Sequence, residues 1–135
     1  MPFEIEFEKD TAILKMNTND ENSFGLSDLE KFNHSLKNLE EKMDFNSLII
    51  TGNRDIFSNG LNITALSKEP VTNIHHFFSL FYENLKMLYY FKTPTIASLS
   101  GHTLGYGCMI ALMCDFRIAS QKKFRIGLPR HSDSS

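Results

Sequence analysis

Gly101, Gly105 and Gly107 stand in the stretch GHTLGYGCMIALMCD, immediately before an unbroken apolar run that reads as helix. A phosphate loop would end in lysine, and a dinucleotide fingerprint would space its glycines G-x-G-x-x-G. This stretch does neither. What remains is close packing of a turn, or backbone N–H groups left free to face an oxygen that becomes negative during a reaction. A second segment, LIITGNRDIFSNGLNI, repeats the arrangement of TIASLSGHTLGYGCMIAL: a buried strand, a glycine-bearing loop and a helix. If the two strands are neighbours, both loops open at one edge of the sheet and both helix entrances present N–H groups there. Two converging donors make an oxyanion hole, each worth about 3–4 kcal/mol of transition-state stabilisation. Two tight turns with no chemical role explain the same glycines, and the pattern alone leaves both readings open.

Other chemistries find less support. The five histidines are scattered, and the adjacent pair His75-His76 points about 100° apart on a helix rather than chelating as i and i+4 would. Ser58, Ser98 and Ser100 lack the G-x-S-x-G context of a nucleophile elbow and read as turn or strand-end hydroxyls. After Glu83 the sequence holds two acids, Asp115 and Asp133. Asp115, between the apolar run and a following strand, reads as a structural turn residue, so no general-base glutamate follows the glycine turn.

These loops need elements to hold them. Phe3, Ile5 and Phe7 alternate with Glu4, Glu6 and Glu8, and TAILKM follows the Lys9-Asp10 turn, predicting an opening hairpin. Leu29, Phe32, Leu36, Leu39 and Met43 repeat at three and four, one helix face, with Ser27 and Glu30 forming a capping box before it. SLIITG reads as a strand buried on both faces, and NRDIFSNGLNITAL as a loop running into a helix. After Pro70 a long helix is expected to turn Ile74, Phe77, Phe78, Phe81, Leu85 and Leu88 inward, stopping at Thr93-Pro94. TIASLSG is a second buried strand and DFRIAS a third. Alternating strands and helices without linker or repeat make the fold class α/β; the closing RHSDSS has no periodicity and reads as a frayed tail.

The chain has 135 residues, 41% of them hydrophobic, which is one ordinary domain with enough apolar material for a core. A net charge of −2 gives no reason to expect nucleic acid or an anionic membrane as partner. No apolar run approaches membrane-spanning length and the amino terminus is acidic, so a cytoplasmic location is expected. Cys108 and Cys114, six positions apart, read as reduced core residues.

FSNGLNI, together with PTIASLSGHTLGYGCMIALMCDFRIAS, resembles the enoyl-CoA hydratase/isomerase (crotonase) superfamily. The first stretch follows that family's F-S-x-G-x-D-[IL] loop, and the second its P-x-[IV]-A-x-x-x-G-x-x-x-G-x-G segment ending in C-D-[FY]-R-I. The resemblance runs to about Pro129. It implies the first part of a crotonase-like spiral of ββα units over residues 1–129, with 130–135 as a non-homologous tail. It also implies an acyl-CoA thioester as partner, with CoA as part of the substrate and no separate cofactor or metal. The thioester oxygen would lie between the backbone N–H groups of Leu61 and Tyr106, which would stabilise an enolate. Gly60, Gly105 and Gly107 would let the backbone approach, and Ser58, Asn62 and Ile63 belong to the loop that receives CoA. Arg54 stands between a CoA-phosphate contact and a plain surface charge. Family members form trimers or hexamers.

Departures from the pattern carry equal weight. Asn62 replaces the usual loop aspartate. Met109 occupies the position of a hydratase glutamate, an exchange that resembles the Δ3,Δ2-enoyl-CoA isomerase branch. Arg130 falls where isomerases keep their single glutamate, and arginine cannot act as a base near neutral pH. Family members are also roughly twice as long. Together these imply an isomerase-like parent and a truncated, inactive chain. A non-catalytic acyl-CoA-binding or partner subunit and a non-functional fragment are the alternatives.

Overall fold

The computed structural model describes residues 1–42, 44–53, 55–119, 121 and 123–128. In chain order its elements are β1 (Phe3–Glu8), β2 (Thr11–Met16), β3 (Ser23–Phe24), α1 (Leu26–Glu41), β4 (Ser47–Thr51), β5 (Ile56–Ser58), β6 (Gly60–Leu61), α2 (Ile63–Leu66), α3 (Ile74–Tyr89), β7 (Thr95–Leu99), β8 (His102–Leu104), α4 (Tyr106–Met113), β9 (Phe116–Ala119) and β10 (Ile126–Gly127). A 3-10 turn, Val71–Asn73, leads into α3.

The alternating amino-terminal residues form the expected antiparallel hairpin, Phe3 opposite Met16 and Glu8 opposite Thr11. β2, β4, β7 and β9 then run parallel, in a five-stranded sheet ordered β1-β2-β4-β7-β9. β4 and β7 are therefore neighbours, the condition on which the two glycine loops can meet. The core joins Leu14, Met16, Leu48, Ile50 and Ala97 of this sheet to Leu29, Phe32, Leu36 and Leu39, the predicted inward face of α1. Met43, assigned to the same face, lies outside the described residues. β9 is the expected third strand, and all four of its residues are exposed at the sheet edge.

Four local expectations need correction. The N-cap of α1 is Gly25, whose N–H donates to the Asp28 carboxylate at 2.9 Å, rather than Ser27 with Glu30. Ser27 already lies in the first turn, and Glu30 instead faces the His76 ring, 3.0 Å from its Nε2. On α3 the buried residues are Leu80, Asn84 and Leu88, whereas Ile74 and Phe78 are exposed. Phe77, Phe81 and Leu85 are half-buried against the core. The inward stripe is centred on a polar residue because Asn84 accepts from Asn33 Nδ2 at 2.9 Å and donates to Leu29 O at 3.0 Å, joining α3 to α1. Apolar periodicity could not reveal a stripe whose middle is an amide.

The remaining two corrections concern the glycine loops. The segment after β4 is a pair of short strands, β5 and β6, before the four-residue α2, and β8 intervenes between β7 and α4. These extra strands build two small sheets, β10-β8-β5 and β3-β6, beside the main one. β8 and β10 are parallel, with Thr103 N–H donating to Arg125 O at 2.8 Å and Gly105 N–H to Gly127 O at 3.0 Å.

Asp115 has the expected structural role. Its carboxylate accepts from the Thr95 N–H at 2.9 Å, and its own N–H donates to Thr95 Oγ1 at 2.9 Å, fixing the start of β7. Cys108 and Cys114 are unpaired and buried; burial raises both thiols, Cys114 to about 11. No helix among the described residues is long and apolar enough to cross a membrane.

Candidate functional site

The first loop is fixed by its own backbone. Ser58, at the end of β5 and fully buried, donates its hydroxyl to Asn22 O at 2.7 Å and accepts from the Gly60 N–H at 3.1 Å. Asn59 N–H donates to Glu21 O at 3.0 Å, so this turn is tied to the segment before β3. Asn62 N–H donates to Phe24 O at 2.8 Å. Because the hydrogen-bonding direction alternates along a strand paired in parallel, Leu61 N–H is directed to the edge away from β3.

That edge adjoins the second loop. Gly60 has φ +100°, and a Cβ there would stand 3.0 Å from both Leu104 O and Tyr106 N. Only a residue without a side chain permits this approach and this backbone conformation together. Gly105, the N-cap of α4, has φ 54° and turns the chain into the helix; its carbonyl accepts from Met109 N–H at 3.1 Å. The first-turn N–H groups that precede Met109, beginning with Tyr106, have no acceptor within the helix. Gly107 lets that first turn rest on β5, since a Cβ there would lie 2.7 Å from Ser58 Cβ.

Tyr106 occupies a position where a bulky residue looks incompatible with an open site. The residue is only 2% exposed. The hydroxyl donates to Phe81 O at 3.0 Å, and the ring centroid lies 4.7 Å from that of Phe81 and 5.6 Å from that of Phe24. The side chain therefore belongs to the core, while the residue also lines the cleft. Burial pushes its phenol above the ordinary range, against a smaller opposing effect of hydrogen bonding with Asn84.

Between the loops lies a cleft of about 450 Å³. Among the sequence-predicted residues, Leu61, Ile63, Gly105, Tyr106 and Met109 line it. Gly60 adjoins it through its contact with Tyr106. Ser58 and Gly107 lie behind it as packing partners, and Asn62 is the N-cap of α2, its Oδ1 accepting from Ala65 N–H at 3.1 Å. Arg54 and Arg130 lie outside the described residues.

The sequence reading missed Asn59, Phe81, Leu104 and Arg125 in the lining, with Gly127 and Leu128. Asn59 sits inside the recognised F-S-x-G loop at its unspecified position, whereas the β10 residues are brought in by a pairing that no local pattern announces. Among the described residues the lining holds no carboxylate, imidazole or thiol. It offers apolar walls and, on adjoining backbones, the Leu61 and Tyr106 N–H groups, an arrangement suited to a carbonyl oxygen that gains negative charge.

Comparison with known proteins agrees with this architecture. A family model described as enoyl-CoA hydratase/isomerase matches residues 6–131. The mitochondrial enoyl-CoA delta isomerase 1 of Rattus norvegicus is 32% identical over 127 residues, covering 93% of this chain and 44% of that protein. The fatty acid oxidation complex subunit alpha of Psychrobacter cryohalolentis is 31% identical over 118 residues, covering 80% of this chain and 15% of that one. A crystal structure of an enoyl-CoA hydratase from Geobacillus kaustophilus HTA426 superposes with a TM-score of 0.88 at 27% identity, covering 95% of this chain and 49% of that chain. The chain thus spans less than half the length of each of these relatives.

Proposed function

The chain belongs to the enoyl-CoA hydratase/isomerase family, and on that premise we propose that it binds an acyl-CoA thioester with the carbonyl oxygen facing the Leu61 and Tyr106 N–H groups. The observation that carries this reading is the approach of Gly60 to the Leu104–Tyr106 backbone, which sets two backbone donors beside one cleft. When a thioester loses a proton from the carbon next to its carbonyl, the electron pair passes to the oxygen. Donors fixed in advance at that oxygen stabilise the enolate by about 3–4 kcal/mol each. The loop from Ser58 to Ile63, with Arg54 before it, would receive the CoA moiety.

Proton transfer needs a base as well. Met109 presents a thioether where a hydratase glutamate would stand, and the described lining offers no substitute. The reading is therefore binding and polarisation of an acyl-CoA at this site without turnover, with double-bond isomerisation as the activity that its resemblance to the isomerase branch suggests for the family site.

Titration calorimetry of the full chain with crotonyl-CoA and with free CoA tests the binding. The thioester should bind more tightly than CoA, and no heat with either would refute the reading. In parallel, incubation with a 3-enoyl-CoA should give no product above a heat-killed control; conversion would overturn the absence of turnover.

A further inference from the structure

One residue of the cleft lining, Asn59, carries a side-chain oxygen that the fold leaves unsatisfied. Asn59 Oδ1 is buried and finds no hydrogen-bond partner, although Asn59 lines the cleft. Its backbone is fixed at the turn: the Asn59 N–H is held by Glu21 O, and the next residue's N–H by Ser58 Oγ. Buried carbonyl acceptors in folded proteins are nearly always paired, and leaving one unpaired is destabilising. An apolar side chain of similar size would fill the same space without that penalty. An amide held here at the fold's expense is what a ligand-binding position looks like.

We propose that Asn59 is a ligand-binding residue whose side-chain oxygen accepts a hydrogen bond from a donor carried by the acyl-CoA within a few bonds of its thioester. The inference rests on the acyl-CoA reading and adds a contact to it. Asn59 shares the cleft lining with Leu61 and Tyr106, whose N–H groups are given the thioester carbonyl. Two parts of such a ligand carry a donor near that carbonyl. One is the amide N–H of the pantetheine arm on the sulfur side; the other is a hydroxyl on the acyl chain. Both present the same chemistry, a neutral donor to a neutral acceptor, and no charge is required of the cleft.

The test compares Asn59→Leu with the unaltered chain, using butyryl-CoA and 3-hydroxybutyryl-CoA as probes in titration calorimetry and measuring thermal unfolding without ligand. Removing one neutral hydrogen bond should weaken binding about three- to tenfold. The unfolding midpoint should stay unchanged or rise, because the variant no longer buries an unpaired acceptor. Equal weakening for both probes assigns the donor to the pantetheine amide; weakening confined to the hydroxyacyl probe assigns it to the acyl hydroxyl. Unchanged affinity for both probes would overturn the inference, as would weaker binding accompanied by a lower midpoint, the signature of a structural role. If the unaltered chain binds neither probe, the acyl-CoA reading itself fails and this contact fails with it.

Discussion

Replacing Gly107 with alanine sets two known effects against each other, and the geometry decides the sign. Gly107 is the second residue of α4, where alanine gains as much as ~1 kcal/mol of helix propensity over glycine. The added methyl, however, would press first on the Ser58 carbonyl oxygen, and would stand 2.7 Å from Ser58 Cβ and 2.9 Å from the Ser58 carbonyl carbon, well inside the separation of about 3.5–4.0 Å at which carbon atoms attract. Ser58 cannot withdraw cheaply, since its hydroxyl holds Asn22 O at 2.7 Å and the Gly60 N–H at 3.1 Å. Because the nearest atom is backbone and cannot swing aside, the cost belongs at the upper end of the about 1–3 kcal/mol of overpacking, and the net loss after the propensity gain should be about 2 kcal/mol. Urea unfolding of both proteins, with equal m-values as the check on a common unfolded state, measures it. A Gly107→Ala chain as stable as the parent, or more stable, would refute the close packing of α4 on β5 on which the site depends.

Tyr106→Phe should lower stability at neutral pH by about 0.5–1.5 kcal/mol through loss of the bond to Phe81 O. The same variant should lose stability less steeply in alkali. Because burial raises the phenol above its unfolded value of 10.0, the tyrosine's contribution is intact below that value and is lost as pH rises through the folded one. Cys114, raised from 9.0 to about 11, has the same sign and remains in both proteins. Parallel alkaline declines above pH 10 would contradict the placement of the Tyr106 hydroxyl. Asp115→Ala should cost about 1–3 kcal/mol by leaving the buried Thr95 N–H without its acceptor. A change below 0.5 kcal/mol in chemical denaturation would contradict that role.

What could be read from the sequence follows from how local each signal is. The hairpin, the inward face of α1 and the strands β4 and β7 declare themselves through short-range periodicity. The site glycines were legible because a bare backbone is needed where two chain segments touch, and the family motif preserves their spacing. On α3 Phe77, Phe81, Leu85 and Leu88 turn inward as expected while Ile74 and Phe78 do not; Asn84 at the centre of the buried stripe was illegible because its partner Asn33 is distant in sequence. β8 was hidden inside the glycine stretch, since a strand of three residues draws its stability from β5 and β10 rather than from its own pattern. For the same reason the cleft's far wall, Arg125 to Leu128, could not be assigned before the parallel pairing with β8 was known.

The central claim is that Leu61 and Tyr106 present their backbone N–H groups to one thioester oxygen. The most direct measurement is an infrared difference spectrum of crotonyl-CoA labelled with carbon-13 at the carbonyl, bound to the unaltered chain and to Gly60→Ala. The account predicts that the isotope-marked carbonyl stretch moves to lower wavenumber on the unaltered chain. On the variant, whose new methyl would meet Leu104 O and Tyr106 N at 3.0 Å, the shift should shrink or binding should be lost. A bound thioester whose carbonyl band stays at its solution position, or shifts equally on both proteins, would contradict it.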